Sequence, residues 1–124
     1  MHILSRDTVA PLVSQHGEVI SELIGRADRS SERHSVAAIT IPPGKSSLLH
    51  YHPVTEESYH ILQGKAHMVV GNEEAILVPG QSVLIPPQTP HRITSVGETD
   101  LAFLAFCVPA WESSCEVSLE QGHE

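Results

Sequence analysis

The sequence predicts an all-β fold that curls into a small barrel or jelly roll. Three observations lead there. Apolar and β-branched residues come in short runs rather than long ones. Gly or Pro stands at nearly every joint, as in Pro42-Pro43-Gly44, Pro53, Gly64, Gly71, Pro79-Gly80, Pro86-Pro87 and Gly97. No stretch carries the roughly 3.6-residue period of an amphipathic helix. A sheet of this length buries its inner face and protects its edges best by closing on itself.

Residues 1–16 read as a loose entry broken by Pro11. Gly17 to Ile24 has strand composition and stops at Gly25, and Arg26 to Arg33 is a polar loop. Ser35 to Ile41 is a clear strand, and Ser47 to Tyr51 is the next, ended by Pro53. Ser58 to Leu62 follows, with Gln63-Gly64 as a turn. Lys65 to Val70 and Glu74 to Val78 form a hairpin about Gly71-Asn72. Ser82 to Ile85, His91 to Ser95 and the apolar Leu101 to Val108 complete the set. In the strand after Gly64, either His67 and Val69 or Met68 and Val70 face inward, and the pattern leaves both open. The tail from Pro109 is mixed, and its last residues are expected to be disordered.

The 124 residues fit a single domain over 1–124, with a core from about 17 to 110 and a peripheral N-terminal arm and C-terminal tail. Seven Lys plus Arg against 15 Asp plus Glu give a net charge of −8, which repels nucleic acid. No apolar run is long enough to cross a bilayer, no basic amphipathic segment points to membrane docking, and the N-terminus lacks the pattern of a secretory leader. These features predict a cytoplasmic protein. Cys107 and Cys115 lack zinc-pair spacing and read as reduced thiols, with a disulfide as the alternative.

The chemistry lies in Gly44 to Gly64 and Gly80 to Ser95. His50 and His52 are two apart, so a strand puts both on one face. Pro53 keeps His52 extended. Glu57 opens the next strand, with Tyr59 and Ile61 on its face and His60 opposite. His91 shares a face with Ile93 and Ser95. Inside a barrel these residues bring three imidazoles and one carboxylate together. A buried carboxylate is costly unless a positive charge meets it. Three nitrogens and one oxygen suit Mn, Fe, Co, Ni, Cu or Zn better than Ca or Mg, and an octahedral ion keeps positions for substrate.

The stretch Gly44-x5-His50-x-His52-x4-Glu57-x6-Gly64 resembles the first motif of the cupin superfamily at every signature position. Gly80-x5-Pro86-x-Gln88-x2-His91-x3-Ser95 is similar to the second, with Gln88 replacing the usual glycine and Ser95 the usual asparagine. The short segment between them matches small single-domain bacterial cupins. The resemblance implies a double-stranded β-helix whose metal ligands are His50, His52, Glu57 and His91, holding a divalent ion such as Mn, Fe, Ni or Zn. It also implies a homodimer, in keeping with the two apolar faces of Leu101 to Val108. Gln88 is expected to relieve its turn of a glycine-only conformation, and Ser95 to hydrogen-bond within the pocket.

Tyr59 is the candidate catalytic side chain, as a proton donor beside the ligands, with a packed barrel aromatic as the alternative. Trp111 reads as a packing residue, with a cap over the barrel mouth as the alternative. Arg92 points away from the ligands, and the acidic tail reads as a charged face or frayed end. The function expected is a metal-dependent enzyme acting on a small organic molecule. The apolar residue mix and the lack of clustered Lys or Arg favour dioxygenase-type chemistry over sugar phosphates. Isomerase, epimerase, decarboxylase or lyase chemistry, or a non-catalytic sugar-binding module, are the alternatives.

Overall fold

The computed structural model describes residues 1–120. A 3-10 turn at Arg6–Thr8 leads into β1 (Leu12–Val13), β2 (Val19–Ile24), β3 (Ser35–Ile41), β4 (His50–Tyr51), β5 (Glu56–Gln63) and β6 (Ala66–Val70). β7 (Glu73–Leu77), β8 (Ser82–Ile85), β9 (His91–Ser95) and β10 (Leu101–Val108) follow, then a 3-10 turn at Ser113–Cys115 and β11 (Val117–Ser118). Two antiparallel sheets, ordered β1-β2-β3-β10-β5-β8 and β11-β4-β9-β6-β7, form the jelly-roll barrel that the sequence predicts.

The inner faces of β3 and β10 grade from large to small. Ile41, Ile39, Leu101 and Phe103 are buried and fill one half of the barrel together with Ile61, Ile85 and Ile93. Each such side chain contributes about 1.5–3 kcal/mol by leaving water. Towards the other half the same strands present Ala37 and Ser35, and Ala105 and Cys107, which are register partners across β3 and β10. Small side chains there leave room. That half carries the cavity described below.

Two connections show why particular residues are needed. Gly64 has φ +85°, and a Cβ there would lie 2.7 Å from the Asp100 carbonyl oxygen, so only glycine lets the β5–β6 turn pass. Gly71 at φ +61° and Asn72 make the two-residue link between β6 and β7. The open question in β6 is resolved by burial: Ala66 and Met68 point inward, while His67 and Val69 lie on the half-exposed side.

The strand expected over Ser47 to Tyr51 is regular only at His50–Tyr51. Upstream, the chain runs beside β9 through single contacts: Gly44 N–H to Ser95 O at 2.8 Å, and Ser47 N–H to Ile93 O at 3.0 Å. Both chain ends add short, exposed edge strands to the barrel. β1 pairs with β2 and β11 pairs with β4, so each end is stitched to a sheet by backbone hydrogen bonds. The disorder expected of the last residues falls on 121–124, outside the described residues.

Candidate metal centre

His50, His52, Glu57 and His91 converge at the small-residue half of the barrel, and one donor atom from each lies within 4.8 Å of the others. Strand parity puts His50 and His52 on the same side, with ring centroids 5.3 Å apart. His91 faces His50 as its register partner across β4 and β9. Glu57 arrives from the opposite sheet, on β5, where it pairs with Cys107 of β10 and Ile85 of β8. Both sheets are therefore needed to assemble the group.

Each imidazole is oriented by a backbone carbonyl. His50 Nδ1 lies 2.8 Å from Leu48 O, His52 Nδ1 3.1 Å from Cys115 O, and His91 Nδ1 3.0 Å from Thr89 O. A carbonyl only accepts, so each Nδ1 carries the proton and each Nε2 turns its remaining valence toward the other three residues. Glu57 Oε1 lies 3.0 Å from His91 Nε2 and 3.3 Å from His52 Nε2. Positive charge has to sit between these atoms, as a proton on a ring or as a cation.

Electrostatics agree with that requirement. Burial pushes the Glu57 carboxyl upward, but the His52 and His91 imidazoles beside it outweigh this and hold Glu57 well below the usual carboxylate range. At His52, burial lowers the imidazole, and Glu57 more than offsets this, so the net shift is upward. Burial, then His91, lowers His50. His52 Nε2 is buried with no hydrogen-bond partner, and its approach to Glu57 is not directed as a hydrogen bond. An unpaired buried nitrogen beside a buried carboxylate is what a cation would satisfy. The donor set suits a divalent transition ion.

Glu57 is further fixed by two donors. Tyr59 O–H donates to Oε1 at 3.3 Å, and the Cys107 thiol donates to Oε2 at 3.2 Å. Burial, then the Glu57 charge, keeps the Tyr59 phenol well above its ordinary value. The Cys107 thiol is likewise pushed up by burial and by Glu57. Both groups therefore stay protonated as donors. Cys107 and Cys115 are free thiols.

Three of the four, His50, His52 and Glu57, line a cavity of about 320 Å³, and His91 is buried behind them. The cavity floor includes Ala37, Ile39 and Ala105, and Tyr59 and Trp111 also line it. The N-terminal arm supplies a wall in which every second residue, Leu12, Ser14, His16, Glu18, Ile20 and Glu22, faces in. No Lys or Arg is among the lining residues. Glu18 is the notable member. Burial raises its carboxyl to about 7, against a lowering hydrogen bond from Ser14, with Glu116 and Glu57 adding to the rise. Sequence reasoning missed Glu18, because polar and apolar residues do not alternate between Leu12 and Glu22.

It also missed the C-terminal segment. Cys115 orients His52 through its backbone oxygen, and Glu116 reaches into the cavity, with Oε2 3.7 Å from His50 Nε2. Trp111 packs beside the cavity, donating its indole N–H to Glu116 at 2.8 Å. His60 and His67 lie away from the site, in contact with Ser82 and Glu74. Arg92 points outward as expected, toward Glu120.

The two motif departures differ from expectation. Gln88 adopts φ +66°, so the turn keeps the left-handed shape that favours glycine, held by Gln88 N–H to His52 O at 2.6 Å. The backbone geometry is retained at a cost of about 1–2 kcal/mol rather than avoided. Ser95 does not hydrogen-bond within the pocket: its hydroxyl is buried without a partner. The residue faces the packed core side, beyond the cavity lining.

A family model described as "Cupin domain" matches residues 37–107. An uncharacterized protein of Methanocaldococcus jannaschii is 33% identical over 105 residues, covering 85% of this chain and 84% of that one. An oxalate-binding protein of Thermotoga maritima is 29% identical over 93 residues, covering 74% and 77%. The polyketide cyclase RemF from Streptomyces resistomycificus superposes with a TM-score of 0.80 at 18% identity, over 98% of this chain and 87% of that one. At that identity the likeness concerns the fold.

Proposed function

The chain belongs to the cupin family, and from that premise we propose that it is a metal-dependent enzyme acting on a small, largely apolar organic molecule, with dioxygenase-type chemistry as the leading reaction class. The observation that carries the reading is four donor atoms within 4.8 Å of one another, three of them from residues lining a cavity of about 320 Å³ that no Lys or Arg lines. His50, His52, Glu57 and His91 would hold the ion, with Mn, Fe, Ni and Zn as the candidates. A bound ion would supply Lewis acidity and open positions for ligands.

The protein's own residues do the rest. Leu48 and the N-terminal arm enclose the site, and Leu12, Ile20, Ile39 and Trp111 favour an apolar or aromatic body. The lack of a basic lining residue disfavours phosphates and dicarboxylates, which need charge-assisted donors. Tyr59 is a neutral hydroxyl facing the same space. It holds Glu57 in place and presents the candidate proton donor to a substrate.

A second reading, proton-transfer chemistry of the isomerase or cyclase kind, draws on Glu18. A carboxyl raised to about 7 inside the cavity is able to give or take a proton near neutral pH. The deciding experiment restores iron, manganese, nickel or zinc to metal-free protein and offers catechols, flavonols and thiols with and without dioxygen. Oxygen uptake matched to substrate loss establishes the first reading. Turnover that persists without oxygen establishes the second. Thermal stabilisation by a ligand with no turnover in any metal form leaves a binding module.

The outer face of β10 supports the proposed homodimer. Leu104 and Phe106 are half-buried there, and Leu84, in register with Ser58 on the neighbouring strand, is 58% exposed. Light scattering behind gel filtration measures the mass directly. No helix among the described residues is long and apolar enough to cross a membrane. A reducing, cytoplasmic setting agrees with the two free thiols.

A further inference from the structure

We propose that Glu116, carried by the C-terminal segment, is a fifth protein ligand of the ion held by His50, His52, Glu57 and His91. The inference rests on the metal reading above and adds a residue from a part of the chain outside the family match at 37–107.

The placement is fixed from both sides. β11 pairs with β4, with Ser118 opposite His50 and Val117 opposite Tyr51. Leu119 N–H donates to Leu49 O at 2.9 Å, and Leu49 N–H donates to the Glu120 carboxylate at 2.6 Å. The Cys115 carbonyl holds His52. Glu116 therefore sits between a residue that orients one imidazole and a strand paired with another. Its two oxygens are divided: Oε1 accepts the Trp111 indole N–H at 2.8 Å, and Oε2 lies 3.7 Å from His50 Nε2. Glu116 stands outside the four residues whose donors lie within 4.8 Å of one another, so ligation requires its side chain to rotate toward them.

The other acids of this segment show that the arrangement is selective. Glu112 pairs with Arg26 at 3.3 Å and Glu120 with Arg92 at 3.8 Å, both facing away from the cluster. Glu116 lies between them and has no Lys or Arg in ion-pair reach among the described residues. It places a second carboxylate beside Glu57 in one cavity. Two carboxylates and three neutral imidazoles carry a formal charge of −2, which one divalent ion cancels.

The test uses the full chain loaded with Co(II), read by visible absorption and by chelator competition. Glu116→Gln should weaken Co(II) binding at least about tenfold and change the position or intensity of the ligand-field bands. Glu112→Gln should match the parent in both, and melting of each metal-free variant checks that the fold is intact. Weakened binding with an unchanged spectrum would make Glu116 a positioning residue and overturn the proposal, as would a Glu116→Gln protein identical to the parent. A parent that takes up no Co(II) would bring down the four-ligand reading and this inference with it. A parent that binds while Glu116→Gln changes nothing overturns this inference alone.

Discussion

His50 and His91 face each other across the β4–β9 pairing with their ring centroids 4.2 Å apart. The cluster therefore depends on strand register as much as on residue identity. A one-residue slip between those strands would send one ring to the outside.

His50→Ala and His91→Ala should each cut bound metal sharply, as measured by elemental analysis of protein purified without added metal. Variants as metal-loaded as the parent would defeat the assignment. Cys107→Ser keeps a donor for Glu57 Oε2 and should leave metal content unchanged. A large loss there would make the thiol itself a ligand.

The raised carboxyl of Glu18 makes stability depend on pH. Its folded value of about 7 lies above the ordinary 4.5, so the protonated form is favoured in the folded state. The corresponding stability is complete below pH 4.5 and is lost as pH rises through 7. Discounted for partial exposure, the loss is on the order of 2 kcal/mol. Glu18→Gln should remove it, so the melting temperature of the variant should gain on the parent steadily from pH 4.5 to 8. A constant difference across that range would contradict the shift.

Filling the cavity should separate metal binding from ligand binding. Ala105→Leu adds bulk opposite Ala37 and leaves the four cluster residues unsubstituted. Metal content should stay at the parent level while thermal shifts caused by bound small molecules disappear. Retained shifts would move the binding site elsewhere.

Removing residues 111–124 takes away β11, the Cys115 carbonyl and Glu116 while leaving β1 to β10 in place. Metal affinity should fall by about 10–100-fold or more, with the β-sheet circular dichroism signal retained. Undiminished affinity would show that the last segment does not shape the site.

Much of this arrangement was legible beforehand. Two histidines at strand spacing, an acid opening one strand and a third histidine opening another defined the cluster, because side-chain parity is a direct property of an extended backbone. The segment after Pro109 was not legible for an equally physical reason. Its contact with His52 is made by the carbonyl of Cys115, and a carbonyl is common to every residue type. β11 is two residues long, too short to show alternation. The N-terminal wall was misread because Ser14, His16, Glu18 and Glu22 are polar residues facing in, and polarity normally marks the solvent side. Gln88 was misread because its side chain says little about φ, whereas glycine in that position would have announced the turn.

The graded faces of β3 and β10 divide labour within the barrel. Ile41, Ile39, Leu101 and Phe103 anchor one half, and Ser35, Ala37, Cys107 and Ala105 set the room available in the other. Exchanges at Ala37 and Ala105 can re-tailor which molecules are admitted while the anchored half keeps the chain folded. Selectivity and robustness in this protein are thus free to evolve along separate lines.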